Sequence, residues 1–106
     1  MAAPLTRVRI VGPSMEPLMR NGDWWLVRRT SRLRPGDAVV LVHPRRPDAL
    51  IAKRLDHAVT LPDGSPGWWV LGDNASASED SRHFGAVPAS LIVGRALTRY
   101  HRPRRR

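Results

Sequence analysis

The sequence predicts an all-β fold, a small antiparallel sandwich or partly open barrel, on three observations. Short apolar runs rich in Val, Ile, Leu and Trp recur along the chain, each bounded by Gly, Pro or Asp. No stretch keeps a 3.6-residue apolar period over about ten residues, which argues against a long amphipathic helix. The ten prolines stand mostly outside the apolar runs, as strand interiors require.

Each element follows from these signals. The first strand is expected over Arg7–Val11, where Gly12-Pro13 forces the chain out of line. A second is expected over Trp24–Arg29 and a third over Ala38–His43, after the turn Arg34-Pro35-Gly36-Asp37. Leu50–Leu55 and Ala58–Leu61 read as two further strands. Pro62-Asp63-Gly64-Ser65-Pro66-Gly67 then makes a hairpin turn into Trp68–Leu71. Pro88–Leu91 is expected to form one helical turn before a last strand over Ile92–Thr98. Alternation places one ring of each Trp pair inward, as core, and one outward, over a groove or a sheet face. Gly12–Asp23 and Gly72–Gly85 are polar, glycine-flanked and longer than hairpins need, and functional residues concentrate in such loops.

A chain of 106 residues is one domain, drawn here as 1–100 with a disordered Arg-rich tail at 101–106. With 42% hydrophobic residues it can fill a modest core. The absence of Cys excludes disulfide scaffolds, thiolate zinc sites and cysteine nucleophiles. Apolar runs of about five residues fall far short of the roughly 20 that span a bilayer. The N-terminus has no continuous apolar stretch of the signal-peptide kind. These features lead us to expect a cytoplasmic protein with no transmembrane segment. The net charge of +9 suits a polyanionic partner, but Arg99, Arg102, Arg104, Arg105 and Arg106 crowd the end of the chain. No basic helix, aromatic RNA-binding motif or zinc-finger spacing accompanies them, so no nucleic-acid partner is expected. A non-enzymatic, basic nucleic-acid-binding module stays as an alternative. His43, His57, His83 and His101 do not cluster at ligand spacing, so neither metal nor cofactor is expected.

Three groups of residues could carry chemistry. Lys53 is the one lysine among 18 basic residues. It shares a strand face with Ile51 and Leu55 by alternation. If that face is buried, desolvation lowers its pKa and makes the neutral amine a general base, which arginine cannot be. Taken alone, Lys53 also reads as a surface cation. Ser14, in Val11-Gly12-Pro13-Ser14-Met15-Glu16-Pro17, sits on a constrained turn of the kind that presents a nucleophile, or simply on a turn. Gly72-Asp73-Asn74-Ala75-Ser76-Ala77-Ser78-Glu79-Asp80-Ser81-Arg82 reads as a tight loop, with Asp80 able to pair with Arg82 across its bend.

Together these pieces are specific. Gly-x-Ser-Met-x-Pro, then Lys-Arg in a mid-chain strand, then GDN-x3-S-x-DSR-x2-G resemble the signal peptidase I family, from about Val8 to Arg95. These are serine proteases with a Ser–Lys dyad on an all-β fold. The resemblance implies Ser14 as nucleophile, with its backbone amide as oxyanion donor, and Lys53 as general base. It implies Ser78 as the residue that orients the lysine amine, with Asp73, Asp80 and Arg82 supporting the loop. Two departures stand out: Leu18-Met19 follows the motif proline where many members have Thr-Leu, and Gly12 stands where some members carry a hydroxyl that completes the oxyanion hole. The GPSMEP start, the RPGD turn and the compact GDN-to-VGR end are similar to the bacterial proteases that mature nickel-type superoxide dismutases. That similarity implies removal of an N-terminal pro-segment from a dismutase precursor held as an extended peptide. A signal-peptidase-like enzyme acting on signal peptides or another pro-protein is the alternative.

Overall fold

The computed structural model describes residues 4–104. Seven strands form one sheet: β1 (Leu5–Arg9), β2 (Trp24–Arg28), β3 (Ala38–His43), β4 (Arg46–Thr60), β5 (Pro66–Leu71), β6 (Val87–Pro88) and β7 (Ile92–His101). The order across the sheet is β1-β2-β7-β3-β4-β5-β6, and every neighbouring pair is antiparallel. The fold is therefore the all-β, partly open architecture that the apolar runs predict. Among the described residues, helical structure is limited to a 3-10 turn at Ala75–Ala77, the four-residue α1 (Ser81–Phe84) and a 3-10 turn at Ala89–Leu91.

Four elements differ from the sequence reading. β1 begins and ends two residues earlier than expected, because Ile10 leaves the strand to bond Asp23 and Gly22 through its backbone. Leu50–Leu55 and Ala58–Leu61 are parts of one strand, β4, whose register with β5 shifts between Leu55 and His57. The irregularity lets the ladder pass over polar Asp56 and His57 without breaking it. β6 is a two-residue strand that takes in Pro88, the first residue of the expected helical turn, so that turn begins at Ala89. The boundary at 100 also moves: β7 includes His101, and Arg102 pairs with Asp23. Arg105 and Arg106 of the expected tail lie outside the described residues.

The core forms on both faces of β3. Val40 joins Val8, Ile10, Met15, Met19, Trp25, Val27 and Ala52 on one side. Val39 and Leu41 join Leu55, Val70 and Val87 on the other. Each buried aliphatic side chain contributes about 1.5–3 kcal/mol, so β3 is the most strongly held strand. Since Lys53 pairs with Val39 and Leu55 lies two residues on, the Lys53 face of β4 is a core face.

Candidate active site

Lys53 is only 3% exposed. Its Nζ lies 2.8 Å from Ser14 Oγ. Burial pushes its pKa below the ordinary lysine range, while Asp80 and Glu79 pull the other way. A neutral amine at that distance can accept the hydroxyl proton. The structure thus brings together two residues 39 positions apart.

The turn that carries Ser14 is held from several sides. Gly12 takes φ +86°, a region that a side chain would strain, and its N–H bonds Asn21 Oδ1 at 2.9 Å. Met15 and Met19 anchor the loop in the core. Asp23, fully buried, accepts from Arg20 N–H and from both Arg102 nitrogens at 2.8 Å. The Arg102 bond holds its carboxyl down to about 2.

The loop after β5 closes over the same site. Asn74 N–H donates to Ser14 O at 2.8 Å, and Asn74 Nδ2 to Pro13 O at 3.1 Å. Gly72 passes between the two halves of the site: a Cβ there would stand 2.8 Å from Ser14 O and nearer still to Ser78 Oγ and Cβ. Asp73 forks onto Arg54, the residue after Lys53, at 2.8 and 2.7 Å. Asp80, fully buried, accepts from Gly72 N–H, Ser78 Oγ and Arg82, and caps α1. Burial alone would raise its pKa, but the Arg82 guanidinium and these N–H donors outweigh it and keep the carboxylate ionised. Ser78, expected beside the lysine amine, instead spends its hydroxyl on Asp80 at 3.1 Å.

Ser14 and Lys53 open into a cleft of about 270 Å³ walled by Val11, Pro13, Ile51 and Ala52. Glu79 and Arg46 stand at its edge, and Glu79 also accepts from the buried His43 Nε2 at 2.6 Å. Arg45 N–H donates to His43 Nδ1, so the ring proton sits on Nε2 and points at the carboxylate. Sequence reading passed over Arg54, Asn74 and the His43–Glu79 pair as site residues. Asn74 stood in the quoted motif, whereas His43 and Glu79 are 36 residues apart with no local signal to join them. Among the described residues no group of His, Asp and Glu could hold a metal ion.

The comparisons with known proteins bear on this arrangement. Residues 55–101 match the family model described as Signal peptidase, peptidase S26. The chain is 34% identical to the Mitochondrial ATP-independent inner membrane protease subunit 1a of Arabidopsis thaliana, covering 93% of this chain and 72% of that protein. It is 36% identical to the Mitochondrial inner membrane protease subunit 1 of Xenopus tropicalis, and 34% identical to that of Homo sapiens. Those two alignments cover 83% and 79% of this chain, but only 64% and 62% of the relatives. An all-β sheet with these relatives defines a serine-type peptidase. The chain belongs to the signal peptidase family. The expected cytoplasmic location is corrected by the same finding, because these relatives are named as subunits of an inner membrane protease. Weak hydropathy misled there, since it speaks only to spanning segments. Among the described residues no helix is long and apolar enough to cross a membrane.

Proposed function

We propose that the protein is a serine endopeptidase that uses Ser14 and Lys53 to remove an N-terminal segment from a precursor protein. The observation that carries this reading is the buried Lys53 amine at 2.8 Å from the Ser14 hydroxyl. Neutral Lys53 takes the hydroxyl proton as Ser14 Oγ attacks the scissile carbonyl. The ammonium then protonates the leaving amine, and the amine later activates water against the acyl-enzyme. The Ser14 backbone N–H is the oxyanion donor, because Gly12 offers no hydroxyl. Ser78 acts through Asp80, whose negative charge lies behind the amine and limits how far its pKa falls. Asp73 and Arg82 hold the loop in place through Arg54 and Asp80.

The substrate lies extended. β1 is an edge of the sheet, and its continuation through Val11 runs beside Leu50–Ala52 of β4 into the Ser14 cleft. Strand addition there fixes the scissile carbonyl, and exposed Val11 and Leu50 supply an apolar wall. For the substrate itself, the GPSMEP and RPGD segments favour a nickel-type superoxide dismutase precursor. The inner membrane relatives favour a membrane-targeted precursor as the second reading.

The test offers purified protein three substrates, namely a nickel-type dismutase precursor, a signal-peptide-bearing preprotein and a precursor of an inner-membrane protein. Products are read by mass spectrometry. A single new N-terminus on the dismutase alone supports the maturation reading, and cleavage of either other substrate selects the second. Intact substrates in all three arms would refute the peptidase assignment.

A further inference from the structure

The end of the sheet away from the Ser14 loop carries an unusual concentration of arginine. Because β1 and β2 run antiparallel, Leu5 lies opposite Arg28, while Arg9, five residues before Ser14, lies opposite Trp24. At the Arg28 end, a cleft of about 450 Å³ is lined by Arg28, Thr30, Arg32, Arg34, Asp37 and Arg95. Three separate segments supply these residues: the end of β2, the connection to β3, and β7.

What sets these arginines apart is their grouping. Like most arginines among the described residues, and unlike Arg46, Arg54, Arg82 and Arg102, the four make no ion pair, but all four line one cleft together. The lining carboxylate, Asp37, is committed through Oδ2 to the backbone N–H of Arg34 at 2.9 Å. Moreover, Arg28 and Arg95 are direct cross-strand partners, an arrangement in which like charges repel. A sheet that holds two permanent cations opposite each other, with two more beside them, is waiting for a counter-charge. Guanidinium groups present planar forks that match the oxygens of a phosphate two at a time.

We propose that this cleft binds a phosphate-bearing anion, free in solution or presented as the headgroup of a lipid surface. The Thr30 hydroxyl and the four guanidinium groups form the donor set. The inference stands apart from the peptidase reading, since none of these residues touches Ser14 or Lys53 through a hydrogen bond described above.

The test has two arms at constant ionic strength. Inorganic phosphate is titrated calorimetrically, and vesicles of phosphatidylcholine with or without phosphatidylglycerol are co-sedimented with the protein. The Arg28→Gln/Arg95→Gln protein should bind about tenfold more weakly or worse than the wild type. Arg7→Gln/Arg9→Gln, which removes the same charge from β1, should lose less than about threefold. Phosphate binding supports a free anion as occupant, and binding of anionic vesicles alone supports a headgroup. Without ligand, the Arg28→Gln/Arg95→Gln protein should melt no lower than the wild type, because a repulsion has been removed. Equal losses in the two double variants, no binding by the wild type in either arm, or a lower Tm of the unliganded Arg28→Gln/Arg95→Gln protein would each overturn the proposal.

Discussion

Lys53 can be separated from a packing role by its closest chemical substitute. Lys53→Arg keeps the charge and nearly the length, but guanidinium does not give up its proton in a protein. Cleavage should fall about 10³-fold, close to the loss in Ser14→Ala, and the double variant should be hardly worse, because the two act as one unit. Circular dichroism must show each variant folded, since Arg would carry a permanent charge into a site that is 3% exposed. Wild-type rate in a folded Lys53→Arg protein would end the dyad reading. The pH profile has a definite sign. Burial lowers the Lys53 pKa, so the reactive neutral form accumulates as pH rises and the rate climbs to a plateau, with its midpoint below 10.5. The charged groups facing that amine are Asp80 and Glu79, with Arg46 and the His43 ring bonded to Glu79. Glu79→Gln removes a charge that favours the ammonium, so single-turnover rates should show the midpoint displaced to lower pH. Displacement to higher pH would mean that Glu79 acts on something other than the amine.

The loop between β5 and α1 is the element on which the site depends most. Gly72→Ala should cost about 10- to 100-fold in turnover with little change in KM, because its methyl would clash with both Ser78 and the Ser14 carbonyl. Stopped-flow measurement of acylation would check this, and an unchanged rate would mean that the loop yields freely. Much of this element was legible in the sequence. The motif from Gly72 to Arg82 pointed to it, and Asp80 and Arg82 do pair. The strands were legible wherever an apolar run faced a core, as β3 shows with matching ends at Ala38 and His43. β4 was read as two strands because exposed Asp56 and His57 interrupt its apolar pattern, although a ladder needs only backbone groups. Ser78 was assigned a direct bond to the amine on family resemblance. Local sequence could not reveal that a buried carboxylate two residues on would compete for its hydroxyl.

At the scale of the whole molecule, Arg102 and Asp23 join positions 79 apart, and no periodicity or turn signal reports such a contact. Asp23 titrates at about 2 in the folded chain against an ordinary 3.8. This pair therefore contributes its full stability above pH 3.8 and loses it as pH falls toward 2. Arg102→Ala should melt roughly 5 °C lower or more at neutral pH and begin acid unfolding at higher pH than the wild type. Thermal scans from pH 2 to 7 would measure both effects, and superimposable curves would show the pair to be idle. Removing residues 103–106 should change neither, because the fork belongs to Arg102. The place of β7 has a further consequence. It lies between β2 and β3, so in the hydrogen-bonded sheet it alone joins the hairpin that leads to Ser14 with the strands that carry Lys53. Each side of the molecule can keep its own hairpins intact, yet the 2.8 Å approach of Lys53 to Ser14 is only as steady as the two ladders that β7 makes with its neighbours.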